Sequence, residues 1–78
     1  MATKREELEK MAAGEGCLGK AADDEPIFIL RAQDTLAPEI IREWAVRAEA
    51  HGCGQAKVQE ARDLAHRMML WPTHKMPD

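Results

Sequence analysis

The chain contains no serine and no tyrosine, a single phenylalanine, and only two cysteines, Cys17 and Cys53. Without serine, nucleophilic catalysis of the serine-hydrolase kind is excluded. Two cysteines allow at most one disulfide and no CxxC pair, and in a reducing cytoplasm they are expected as free thiols. No apolar run approaches the roughly 18 residues that cross a bilayer, so no membrane partner is expected. The first ten residues are mostly charged, which argues against a secretory leader and for a cytoplasmic setting. Basic residues are not in excess: 11 Lys plus Arg stand against 14 Asp plus Glu, for a net charge of -3. A nucleic-acid partner is therefore disfavoured, since such binding draws most of its strength from neutralised phosphates. There is also no glycine-rich phosphate loop and no HExxH. His51 and Cys53 form an H-x-C pair, but zinc needs three or four ligands, and nothing brings His66, His74 or Cys17 to them. No catalytic residue, metal or cofactor is expected.

What is present is a thin supply of core. Of the 78 residues, 13 are alanine, and Leu, Ile, Val and Phe together also number 13. So short a chain is a single small domain that hides only about 60% of its unfolded surface. With no staple to compensate, self-association is the expected source of further burial, and the protein is read as a homo-oligomer.

Four stretches follow one another. Residues 1–16 form a weakly held arm, in which Thr3 and Glu6 have capping-box spacing and a helix runs to about Ala13, stopped by Gly14 and Gly16. Residues 17–37 hold a small polar loop, the acidic run Asp23, Asp24, Glu25, then Pro26 and four bulky apolar residues. Ile27, Phe28, Ile29 and Leu30 favour a buried extended segment, with a helix begun at Pro26 as the competing form. No other segment reads as a strand. The extended form thus needs the same segment of another copy, and Ile27, Phe28, Ile29 and Leu30 are the expected oligomer interface.

Residues 38–70 are the clearest. Asp34 and Thr35 offer acceptors, Pro38 suits an early helical position, and Ile41, Trp44, Ala45 and Ala48 share an apolar arc. Glu43 and Arg47 make an i, i+4 pair. Gly52 to Gly54 turn the chain into a second helix, Gln55 to Leu70, with Val58, Ala61, Leu64, Ala65, Met68 and Met69 on its apolar arc. Two helices joined so tightly return antiparallel. The fold class is therefore mainly α: an antiparallel helical hairpin, a short N-terminal helix and a short extended apolar segment that is a candidate intermolecular strand. Trp44 and Trp71 are expected to bracket the core, and the tail, 71–78, to lie extended over the hairpin, anchored by Trp71. Val46 and Leu70 fall outside the apolar arcs and are candidates for a second buried surface.

The densest polar functionality is Arg31, Gln33 and Asp34, a planar fork, an amide and an acceptor beside a helix start. Lys20 and Arg47 are candidate charge neighbours. Together they suit an anionic, hydrogen-bonding ligand or partner. The competing reading has Arg31 paired with the acidic run at 23–25, Gln33 facing water and Asp34 capping the helix.

The stretches DEPIFILRAQD and LAPEIIREWA, a glycine-containing turn, KVQEARDLAHRM, and a closing Trp-Pro followed by Lys and Pro-Asp make up a pattern over residues 17–78. It resembles small, largely uncharacterised accessory proteins encoded by tailed bacteriophages and prophages. The resemblance brings no catalytic motif and assigns no active residue. It implies a bacterial host cytoplasm and an accessory role in infection, often inhibition of host defence. Anti-CBASS sponges are similar in being short helical oligomers that sequester cyclic nucleotides, although no motif matches them. The expected function is a non-enzymatic, homo-oligomeric inhibitor of a host process, holding a host protein or a nucleotide messenger. The alternative is a small DNA-associated transcriptional regulator.

Overall fold

The computed structural model describes residues 2–77. The protein is mainly helical, with α1 at Lys4–Ala12, α2 at Gly16–Lys20, α3 at Ala37–Ala50 and α4 at Gln55–Met69, and no strand among the described residues. No helix of the described residues is long and apolar enough to cross a membrane.

Local chemistry sets most boundaries. Thr3 caps α1, its hydroxyl oxygen accepting the Glu6 N–H at 3.2 Å while the hydroxyl donates to the Glu6 carboxylate. Two helices end in Schellman turns with glycine in the left-handed position. At the end of α1, Gly14 has φ 73° and the Glu15 N–H reaches the Lys10 carbonyl at 2.7 Å. At the end of α3, Gly52 has φ 80° and the Cys53 N–H reaches Ala48 at 3.0 Å. Glycine is required there because side-chain-bearing residues lose about 1–2 kcal/mol in that conformation.

Helix α2 stands where a polar loop was expected. Gly16 does not end helical structure but opens a new turn of it, and α2 folds back on α1 because Gly19 has no side chain. A Cβ at residue 19 would lie 2.8 Å from the backbone carbon of Gly14.

Helices α3 and α4 pack on each other through small side chains. Ala37, Ala45, Ala48, Val58, Ala61, Ala65 and Met68 are buried, with Ile41 packed against them, and Val58 is the largest side chain that is fully enclosed. Arg62 of α4 pairs with Glu49 of α3, and the Arg42 guanidinium meets the Met69 sulfur. The face between the two helices is thus built mostly from alanine, with Val58 and Met68 as its larger members.

The exposure of both indoles overturns the expected role of the tryptophans. Trp44 is 45% exposed and Trp71 53% exposed, because no gap in an alanine seam admits an indole. Met69 is likewise exposed and Leu64 only half-buried. Val46 and Leu70 face outward, as their positions on the helical wheel require. The tail is held by backbone rather than by Trp71. The Lys75 N–H donates to the Gln33 carbonyl at 2.7 Å and the Thr35 N–H to the Lys75 carbonyl at 3.0 Å, a parallel bridge centred on Asp34 and Lys75.

From residue 25 to 31 the chain runs without helix, turn or bend. The apolar run is thus not helical, but in the single chain it is not buried either: Ile27 is 54%, Phe28 82% and Ile29 67% exposed, with only Leu30 half-buried. Among the described residues, nothing hydrogen-bonds to the backbone of residues 26–30.

Candidate functional site

Asp34 organises the approach to α3. Its carboxylate accepts the Leu36 N–H at 2.8 Å and its carbonyl the Ala37 N–H at 3.1 Å, so the chain turns through Thr35 and Leu36 into the helix at Ala37. Pro38 is buried near the helix start, and the position just before the helix, Leu36, provides no side-chain cap. The turn sets Gln33 and Asp34 beside Lys75, and the bridge fixes the tail there.

The result is an open cleft of about 210 Å³ lined by Ile29, Arg31, Gln33, Asp34, Lys75, Met76 and Pro77. Three of the five sequence-derived site residues, Arg31, Gln33 and Asp34, are therefore together. The other two are elsewhere. Lys20 lines a separate hollow of about 420 Å³ with Glu7, Lys10, Cys17, Glu25 and Lys57. Arg47 is engaged by Glu43 on the outside of α3, Nε to Oε1 at 2.9 Å. Neither joins Arg31, because formal charge in a sequence carries no information about which side of a helix pair a residue will occupy.

The competing reading of the polar cluster holds for one residue in part and fails for another. Asp34 does bond to the backbone leading into α3. Arg31, by contrast, makes no ion pair with Asp23, Asp24 or Glu25 among the described residues, and Glu25 instead accepts the Ala22 N–H at 3.3 Å. The Arg31 guanidinium is thus an exposed cation at the end of an apolar run.

Sequence reasoning missed Lys75, Met76 and Pro77. Lys75 reaches the cleft through main-chain hydrogen bonds to residues more than 35 positions earlier, a pairing that hydrophobic periodicity does not encode. Pro72 and Pro77 were the available signal, since proline keeps a tail extended and able to lie alongside another segment.

The remaining chemistry-bearing residues do not converge. Among the described residues no three His, Cys, Asp or Glu side chains lie where they could hold a metal ion. His51 is hydrogen-bonded through Nδ1 to the Arg47 carbonyl at 2.8 Å, and Cys17 and Cys53 are exposed free thiols. Comparison with protein-family models, with curated proteins and with solved structures found no match for this chain.

Proposed function

We propose that the protein is a non-catalytic interaction module that works as a homo-oligomer, built on an antiparallel α3–α4 hairpin. In this reading it is an accessory protein of the bacteriophage type, acting in the bacterial host cytoplasm to obstruct a host process such as anti-phage defence. The observation that carries the proposal is the run Ile27, Phe28, Ile29. Three large apolar side chains in sequence are exposed on a segment without helix, turn or bend, whose backbone donors and acceptors are unpaired among the described residues. Such an edge is a ready template for another chain, and leaving it bare invites uncontrolled association.

The looseness of the single chain supports the same reading. Its radius of gyration is 13.3 Å, against about 11.5 Å for a compact domain of this length. The opposed contacts Glu49 with Arg62 and Arg42 with Met69 support the antiparallel hairpin.

Between the two kinds of target, the cleft favours a host protein over a nucleotide messenger. Its 210 Å³ falls below the roughly 300–1,000 Å³ of pockets that enclose small ligands. Sedimentation equilibrium at micromolar concentration tests the first element of the proposal. A dimer or larger species is expected, and a mass of 8.7 kDa throughout overturns it.

A further inference from the structure

We infer that two copies join through residues 25–31 as an antiparallel, two-fold pair centred on Phe28, locked by Arg31 of each copy against Glu25 of the other. This rests on the self-association reading above and adds its geometry: which residues face which, and why.

The argument begins with symmetry. In an antiparallel ladder, hydrogen-bonded and non-hydrogen-bonded residue pairs alternate, so a two-fold axis must fall on a residue facing its own counterpart. Only a few centres are available in the run from 25 to 31. Centring on Ile27 sets Glu25 against Ile29, and centring on Ile29 sets Ile27 against Arg31. Both place a charge opposite a large apolar side chain. Centring on Phe28 sets Ile27 against Ile29, Pro26 against Leu30 and Glu25 against Arg31, so that every pair is either apolar with apolar or opposite in charge. Cross-strand pairs of these kinds stabilise a ladder, and like charges or mismatched faces weaken it.

Proline then selects the hydrogen-bond phase. Pro26 has no N–H to donate, so it is tolerated only at a position whose N–H would point away from the partner. That places residues 26, 28 and 30 in non-hydrogen-bonded pairs and residues 25, 27, 29 and 31 in hydrogen-bonded ones. Roughly eight interchain bonds result, none of them needing the missing donor. The Phe28 side chains sit across the axis, where the two backbones are closest and aromatic pairing is most favourable.

The single chain leaves these groups available. Ile27, Phe28 and Ile29 are exposed, and among the described residues the backbone from 26 to 30 is unpaired and Arg31 makes no ion pair with an acidic side chain of its own chain. The acidic residue that precedes the run and the basic residue that follows it are complementary only to a reversed copy.

A charge-swap series tests this by sedimentation equilibrium of the full chain. Glu25→Arg and Arg31→Glu each create two like-charge pairs, so each variant alone is expected to associate at least about tenfold more weakly than wild type. The double variant restores both pairs in reversed sense. In an equimolar mixture of the two single variants the mixed dimer has one reversed and one native pair, and both samples are expected to recover association. Single variants that associate as tightly as wild type, or a double variant and mixture that both stay dissociated, overturn the register. If the register is overturned while Phe28→Asp still yields monomers, association through 27–30 stands without it. Wild type at 8.7 kDa throughout removes the reading on which the register rests. A charge-independent check is Phe28→Cys in a Cys17→Ser, Cys53→Ser background. It is expected to cross-link to itself under mild oxidation, and failure to do so in a dimer overturns the two-fold centre.

Discussion

The α3–α4 pair and the segment from residue 25 to 31 use apolar residues in opposite ways. The helix pair is held by a seam of alanines with one valine fully enclosed, whereas the segment concentrates Ile, Phe, Ile and Leu and leaves three of them exposed. Hydrophobicity alone would place the core in the segment. Geometry places it in the helices, where small side chains pack α3 on α4, while Ile27, Phe28 and Ile29 stay exposed on a run without helix or turn and only Leu30 is half-buried. The large residues are therefore the ones that the proposed self-association would cover.

The largest effect that would break this contrast is expected in the seam. Ala61 is fully buried where α4 meets α3, in contact with the Ala45, Ala48 and Val58 cluster. Ala61→Leu adds three carbons to a space with no slack and should cost about 3 kcal/mol, near the upper end of ordinary overpacking. For a domain of this size that lowers the thermal midpoint by about 12 °C or more. Thermal unfolding followed by circular dichroism checks it, and an unchanged midpoint would mean that the helices stand apart.

A smaller effect is expected at Trp44. A fully buried tryptophan replaced by alanine costs about 3–5 kcal/mol. At 45% exposure the indole covers the edge of the seam rather than filling it, so Trp44→Ala should cost about 1 kcal/mol. Urea denaturation distinguishes the two. A loss in the larger range would return the indole to the core and make the seam less exclusively alanine than it is.

How much of this was legible in the sequence depends on distance along the chain. The Thr3 cap, the glycine turns at Gly14 and Gly52, the Glu43–Arg47 pair and the end of α4 before Pro72 each depend on residues a few positions apart, and the sequence shows them directly. Arg31, Gln33 and Asp34 came out together for the same reason. Trp44 did not, because a helical wheel gives the direction of a side chain but not the gap it meets. Helix α2 was hidden although its cause is local, because a glycine in the sequence does not say that its missing Cβ, at Gly19 within α2, makes room for the Gly14 backbone at the end of α1. Lys20 and Arg47 were placed by charge, which has no position, and Lys75 was missed because a parallel bridge leaves no periodic trace.

The smallest expected effect sharpens the contrast most. Phe28 is the largest apolar side chain in the segment and is 82% exposed, so in the single chain it makes few contacts to lose. Phe28→Ala should therefore change the stability of the isolated chain by no more than about 0.5 kcal/mol, as surface substitutions do. Its consequence lies instead in concentration. The proposed association through 27–30 would stabilise the folded chain by mass action, so the wild-type thermal midpoint should rise as protein concentration is raised from micromolar to millimolar. In Phe28→Ala that rise should flatten, with the two proteins melting together at the dilute end and apart at the concentrated end. Curves that differ at the dilute end would show that Phe28 supports its own domain. Curves that coincide at every concentration would show that the apolar run is not where copies meet, and the outward residues Val46 and Leu70 would become the surface to test.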